Sequence, residues 1–277
     1  MAKEFKLMNL KEVIKIIALK LVNKKTGPVA ITLHHIPEVY FMWFQEFLTS
    51  LQRDYEFINP ADMTGKGNIT GNKILLTFDD GLLSQKLCVE RILDPMKIKA
   101  LFFIPTGFVG LRGSRASQFA KTRLFPFSSS PNLFDGAYDA MSWDDIVSLV
   151  HGGHSIGGHT HTHPMLSTLT CHEQYQEIVN SADLLSAKLS IPIQQFAYPF
   201  GSMETVNKDS VKIAQARFQV SYSNIRGMLY EQVASNFLFR QNIVPGMPLW
   251  MARAAVDGRM DWWHYRARGN AHWSTLM

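Results

Sequence analysis

After Gly27 and Pro28 the chain alternates between short apolar, β-rich runs and longer stretches in which apolar positions recur at helical spacing. The short runs fall at 29–35, 74–78, 99–105, 154–158, 194–198, 218–223 and 238–243. Strands alternating with amphipathic helices predict βα units and a parallel sheet. The helices between them carry start signals. Thr170 and Glu173 form a capping-box pattern that opens a helix over 171–189, with Ile178, Ala182, Leu185 and Leu189 on its buried face. Ser142 caps another helix that begins with Trp143 and Asp144. Seven strands with intervening helices predict an α/β fold, an incomplete or distorted (β/α)7 barrel. An open doubly wound sheet is the alternative, but no GxGxxG follows an early strand.

Two segments break the rhythm. Residues 110–140, rich in Ser, Arg, Phe and Gly, show no strong period and predict a surface loop inserted over one end of the barrel, placed to shape access to a site or merely to decorate it. Residues 1–27 predict a basic amphipathic helix. Lys11, Lys15 and Lys20 interrupt its apolar run, which excludes a signal-peptide core or a membrane span. Leu10, Val13, Ile14, Ile17 and Leu21 share one face. That stripe packs on the rest of the protein or gives peripheral contact, through residues 1–25, with an anionic membrane. The expected organisation is therefore 1–27, a catalytic barrel over 28–256 and an aromatic, basic tail over 257–277. The tail's composition suits sugar or anionic-ligand contact and oligomer packing equally.

Composition changes this picture little. In 277 residues, 46% are hydrophobic and 18% charged, which leaves ample material for a core. A net charge of +5 favours anionic partners weakly. No basic block, zinc-finger spacing or RNP-like motif supports nucleic-acid binding. Cys88 and Cys171 form no CxxC pair, which fits a reducing, cytoplasmic setting, and Cys88 suits a buried apolar position in a helical run.

Chemistry concentrates in four places. In KILLTFDDG, at 73–81, a strand runs into Asp79 and Asp80; two adjacent carboxylates repel when both ionise, and a cation resolves the repulsion. Barrel enzymes place their chemistry at such strand ends. In GGHSIGGHTHTHP, at 152–164, a helical turn would align His159 with His163, whereas an extended backbone would align His159, His161 and His163. Two histidines and a carboxylate would leave coordination positions open on a catalytic ion. His154, in a strand position beside the site, suits a structural role. IQQFAYPFG, at 193–201, ends a strand in an aromatic turn where Tyr198 and Phe200 suit core or pocket wall. LFRQNIVPG, at 238–246, carries Arg240, which once buried needs a carboxylate such as Asp79 or Asp80.

TFDDG, HTxxHP and FAYPFG, in this order and spacing, resemble the polysaccharide deacetylase family, also called the NodB-homology or carbohydrate esterase family 4 fold, in its FAYPFG-bearing subgroup. The resemblance spans roughly residues 29–245. It implies that Asp79 is the catalytic base and that Asp80, His159 and His163 bind a divalent ion, zinc by default, with cobalt, nickel or manganese fitting the same atoms. His161 falls at a variable position, and Thr160 orients the loop through a local hydrogen bond. The implied reaction is metal-assisted amide hydrolysis, with the backbone N–H of Phe200 helping the ion to stabilise the oxyanion. Two departures stand out. Ala197 replaces an arginine of the third motif, and Arg240 takes over its task of orienting Asp79. The family's LxH motif is missing near the C-terminus, which leaves His34 or His35, at the end of the first strand, as the proton donor.

The expected substrate is an N-acetylated amino sugar in a surface polysaccharide or its precursor, the latter carried on an anionic lipid or a nucleotide. The rival expectations are hydrolysis of another non-peptide C–N bond, such as a cyclic amide or imide, and an inactive glycan-binding homologue.

Overall fold

The structure is a computed structural model that describes residues 22–63, 69–127, 137–229 and 237–261. Eight parallel strands form its centre: β1 (Val29–Leu33), β2 (Glu56–Phe57), β3 (Lys73–Phe78), β4 (Leu101–Ile104), β5 (Ser155–Gly158), β6 (Gln195–Ala197), β7 (Val220–Tyr222) and β8 (Gln241–Asn242). Their order is β7-β6-β5-β4-β3-β1-β8, with β2 paired to the start of β3. A bridge between Tyr222 and Leu238 brings the chain before β8 against β7, while Gln241 and Asn242 pair with β1. The segment 238–242 therefore closes the sheet into a distorted barrel. All seven expected strands are present; the two-residue β2 was not foreseen.

Side-chain parity sorts the apolar residues into two layers. Ile74, Leu76 and Phe78 of β3 join Val29, Ile31, Leu33, Phe102, Ile104, Ile156 and Phe196 in the large cluster beneath the helices. Leu75 points the other way, into a smaller interior cluster with Ala30, Leu101, Phe103, Ala197, Val220, Tyr222 and Leu238. Covering both faces explains why the strands are near-continuous apolar runs. Each fully buried Leu, Ile or Phe in these layers contributes about 1.5–3 kcal/mol. Gly157 faces inward, where a Cβ would lie 2.6 Å from the ring of Phe103, so the interior has no room for a side chain there.

The helices follow their caps. Ser142 and Asp145 form a reciprocal capping box at the start of α4 (Trp143–His151), and Thr170 and Glu173 do so at the start of α5 (Cys171–Tyr175). The expected 171–189 helix is continuous through a π turn into α6 (Ser181–Leu189). Ile178, Ala182 and Leu185 are buried, and Leu189 packs half-buried on the same core. The remaining helices are α1 (Phe41–Leu51), α2 (Leu83–Cys88), α3 (Gly113–Phe119), α7 (Lys208–Arg217) and α8 (Leu249–Val256).

The inserted segment departs from expectation. Of its described residues, 113–124 are helical, α3 continuing through a π turn to Leu124, and only the flanking residues are irregular. Ala116, Ala120 and Leu124, four residues apart, pack with Leu82, Phe108 and Ala140. At the N-terminus, the described residues 22–27 are irregular, so the expected helix does not reach Gly27; residues 1–21 lie outside the described residues, as does the tail beyond Asp261. No described helix is long and apolar enough to cross a membrane. Cys88 is buried and Cys171 exposed, both free.

Candidate metal centre and active site

Strand register places the site. β1 and β3 run in step to Leu33 and Phe78, so His34 and Asp79 emerge side by side, and the Asp79 N–H donates to the Leu33 carbonyl at 2.9 Å. β5 pairs with β6 at Gly158 and Phe196, which sets His159 beside Ala197. Strand C-termini thus converge on one mouth, where the expected chemistry meets.

Asp79 continues the inward parity of Leu75 and Thr77 and meets Arg240 inside the barrel. Arg240 grips it with two hydrogen bonds, Nη1 to Oδ1 and Nη2 to Oδ2, each 2.7 Å. The guanidinium is fully buried; it also donates from Nε to the Ser223 carbonyl at 2.7 Å and from Nη1 to Thr77 Oγ1 at 3.2 Å. Its carbon lies 5.4 Å from the centre of the Phe103 ring and 5.9 Å from that of Tyr222. Burial alone would raise the Asp79 pKa, but the Arg240 charge and hydrogen bonds, with His159 and His34, together outweigh it and hold the carboxyl at about 2. Gln85 Nε2 fastens the Asp79 carbonyl from behind.

Asp80 is treated differently. Its backbone is left-handed, with φ of 79°, which turns its side chain away from that of Asp79. Both carboxylate oxygens are buried without a hydrogen-bond partner. Oδ1 faces His159 Nε2 at 3.6 Å and His163 Nε2 at 3.5 Å. Burial would raise its pKa too, but His159, His34 and His163 outweigh that and lower it. Each facing imidazole is locked by its other nitrogen: His159 Nδ1 donates to the Ala197 carbonyl at 2.7 Å and His163 Nδ1 to the Arg123 carbonyl at 2.9 Å. Those bonds leave the Nε2 lone pairs free. Burial, reinforced by the nearby His159, keeps His163 neutral by lowering its pKa to about 4. One donor atom from each of the three residues lies within 4.8 Å of the others. An orphaned carboxylate facing two imidazole lone pairs fits a divalent ion.

The loop between the two histidines explains the choice between them and His161. Thr160 and His163 both have positive φ, 67° and 57°, so the segment is neither a helical turn nor extended. Thr160 Oγ1 accepts the His163 N–H at 3.1 Å. Glu177 braces the loop with three bonds: Oε2 accepts from the His161 and Thr162 N–H groups at 2.8 and 2.7 Å, and Oε1 from the Thr162 hydroxyl at 2.7 Å. His161 is turned outward, its Nδ1 2.8 Å from Thr106 Oγ1. His154 is not beside the site as expected. It precedes β5 and lies at the other end of the barrel, where its Nδ1 accepts the Ala100 N–H at 3.2 Å and its Nε2 faces Asp94.

His34 and His35 part company. His34 Nε2 is 3.9 Å from Asp79 Oδ2, with its side chain 29% exposed. His35 Nδ1 is 2.9 Å from Ser84 Oγ, its ring centre is 5.0 Å from that of Tyr138, and burial lowers its pKa to about 4. Phe200 has φ of 59° and its ring sits 4.7 Å from that of His163, whereas Tyr198 is buried core. His34, His35 and Phe200 line a pocket of about 400 Å³ together with Asp79, Asp80, His159 and His163. Leu124, Phe125, Tyr138, Asn224 and Asn242 also line it, and sequence reasoning missed them. Leu124 had a weak signal in the four-residue spacing of Ala116, Ala120 and Leu124; Asn242 ends β8, inside the expected strand 238–243, and Phe125, Tyr138 and Asn224 stand in connections without a recognisable pattern.

A parallel barrel with a carboxylate, two imidazoles and a guanidinium-held aspartate at its strand C-termini has the plan of a barrel hydrolase. The chain belongs to the polysaccharide deacetylase family, whose model, described as "Polysaccharide deacetylase", matches residues 66–218. Its fold is similar to that of IcaB from Ammonifex degensii, at 20% identity and a TM-score of 0.65, covering 85% of this chain and 99% of that one. PplD from Streptococcus pyogenes, a deacetylase solved with acetate, is 18% identical with a TM-score of 0.61, covering 83% and 98%. A Bacillus cereus polysaccharide deacetylase is also 18% identical, with a TM-score of 0.64, covering 83% of this chain and 69% of that one. No curated protein matches the sequence significantly.

Proposed function

We propose that the protein is a metal-dependent hydrolase that removes the N-acetyl group from an amino sugar of a surface polysaccharide. The observation that carries this reading is the pair of unlike aspartates: Asp79 is neutralised by Arg240, and Asp80 is left without a hydrogen-bond partner facing the Nε2 atoms of His159 and His163. Asp80, His159 and His163 would hold the ion, zinc by ligand type. An ion bound there would supply Lewis acidity, polarising an acetyl carbonyl and acidifying water beside it.

The other groups act around that centre. A carboxylate held at about 2 is a weak base, but it is ionised at every working pH and fixed in orientation, so Asp79 accepts the proton of acidified water. Of the two candidate donors we favour His34 for protonating the leaving amine, a reading supported by its partial exposure and nearness to Asp79, whereas His35 is engaged with Ser84. The backbone N–H of Phe200 would be the oxyanion donor, a role that the left-handed turn there and its place in the pocket lining support. Phe125, Tyr138 and Phe200 offer flat faces to a sugar ring. Among the described lining residues there is no lysine or arginine, which favours a neutral stretch of glycan over a sugar flanked by phosphate.

Acetate release from N-acetylated oligosaccharides tests the reading. Wild type should release acetate and Asp79→Asn should do so about 10²–10⁴-fold more slowly. Equal release by both would remove Asp79 as the base. Turnover confined to cyclic amides would favour the rival C–N chemistry.

A further inference from the structure

We infer that Asn224 selects amides over esters, by accepting a hydrogen bond from the N–H of the substrate's acetamido group. This assignment rests on the deacetylase reading and concerns the same pocket.

Asn224 follows β7 at the mouth of the barrel and lines the pocket together with Asp79, Asp80, His159, His163 and Phe200. Its backbone is fixed from two sides. The Asn224 N–H donates to the Gly201 carbonyl at 2.9 Å, in the same turn as Phe200. The preceding carbonyl, of Ser223, receives Arg240 Nε. Gly201 has φ of 59°, and a Cβ there would lie 2.4 Å from the Asn224 nitrogen, so the close approach of these two turns requires glycine. The side chain therefore stands on the scaffold that carries the base and the proposed oxyanion donor, although neither reaction step uses it.

Asn224 Oδ1 is buried and has no hydrogen-bond partner. A buried acceptor left unmade costs about 1–3 kcal/mol, so a substrate that brings a donor to Oδ1 would recover that cost. An N-acetylated sugar carries one donor at the reacting centre, the amide N–H, adjacent to the carbon that is attacked. An O-acetylated sugar has an ester oxygen there and no donor. Accepting that N–H would also fix the rotation of the acetamido group and hold the face of the nitrogen that gains a proton away from Asn224. The pocket would therefore lose little with an ester's carbonyl but would leave Oδ1 unmatched, which is how a polar site rejects an analogue lacking the group it was built to bind.

The experiment compares two oligosaccharide series of equal length, one 2-acetamido and one 2-O-acetyl, by acetate release with wild type, Asn224→Ala and Asn224→Asp. Thermal unfolding of each variant reports whether the turn with Gly201 is retained. In Asn224→Ala, kcat/KM for the amide is expected to fall about tenfold to a hundredfold more than for the ester. Asn224→Asp keeps an acceptor oxygen and is expected to keep the preference for the amide. An equal fall on both series would mean that the donor end of the carboxamide serves the carbonyl common to both, and would overturn the assignment. An unchanged ratio would overturn it as well. Wild type inactive on both series would instead overturn the deacetylase reading, and this assignment with it.

Discussion

β5 carries a buried histidine at each end, and the two are completed in opposite ways. At the N-terminal end, His154 accepts the Ala100 N–H and faces Asp94, which also takes Lys99 at 2.8 Å. The same end of the barrel joins Tyr55 to Asp257 at 3.0 Å, and Asp261 to both Gln241 and Lys25 at 2.8 Å. At the C-terminal end, His159 uses one nitrogen on a backbone carbonyl and points the other at a carboxylate that has no hydrogen-bond partner. The backbone differs as well. Of the six non-glycine residues with positive φ among the described residues, Asp80, Thr160, His163 and Phe200 are at the C-terminal mouth. Identical side-chain types thus differ in setting: both ring nitrogens of His154 have protein partners, whereas one nitrogen of His159 faces a carboxylate without a hydrogen-bond partner. Left-handed backbone at such sites costs of order 1–3 kcal/mol each and persists because surrounding bonds enforce it.

The largest effect that probes this contrast falls on the one closed pair at the open end. Arg240→Met would leave Asp79 buried without its guanidinium, and unfolding in urea should show a loss of about 3–5 kcal/mol. Adding Asp79→Asn to that variant should recover part of the loss; no recovery would mean that Arg240 stabilises by packing on Phe103 and Tyr222 instead. Next, Glu177→Ala should weaken zinc binding about 10–100-fold by calorimetry, because the loop it braces sets the angle of His163. Unchanged affinity would show that Thr160 and the Arg123 carbonyl suffice. His154→Ala should cost about 1–3 kcal/mol of stability by orphaning the Ala100 N–H, with kcat unchanged, as befits the closed end.

The smallest effect is a pH slope. His35 and His163 have pKa values lowered from 6.5 to about 4, so between those values the unfolded chain binds more protons than the folded one. Their contribution is complete above about 6.5 and is lost as pH falls towards 4. Chelator-treated protein should show this decline, and His35→Gln should make it shallower. A decline that begins only below pH 4 would assign it to carboxylates such as Asp79.

The frame was legible because strands buried on both faces cannot hide: their apolar runs, and the capping boxes at Ser142 and Thr170, are local signals. The helix Gly113–Phe119 escaped because its buried face is built of alanines amid Ser, Arg and Gln, too small to give a hydrophobic period. β2 is two residues long and offers no pattern. At the site, adjacent aspartates and clustered histidines announced themselves by type. Their separate roles were implied only by the family resemblance and not by residue type, since the difference between them depends on the left-handed turn at Asp80 and on barrel closure bringing Arg240 to Asp79. Asn224 and Tyr138 are ordinary connection residues in sequence and Asn242 is the last residue of the short β8, and their place in the pocket follows from where the strands end.

The most direct test of the central claim is the zinc stoichiometry and affinity of wild type, Asp80→Ala and His161→Ala, measured by titration calorimetry on chelator-stripped protein. The structure leads to one ion per chain in wild type, near-equal binding by His161→Ala, and loss of binding in Asp80→Ala. Undiminished binding by Asp80→Ala, or loss of the ion with His161→Ala, would contradict it.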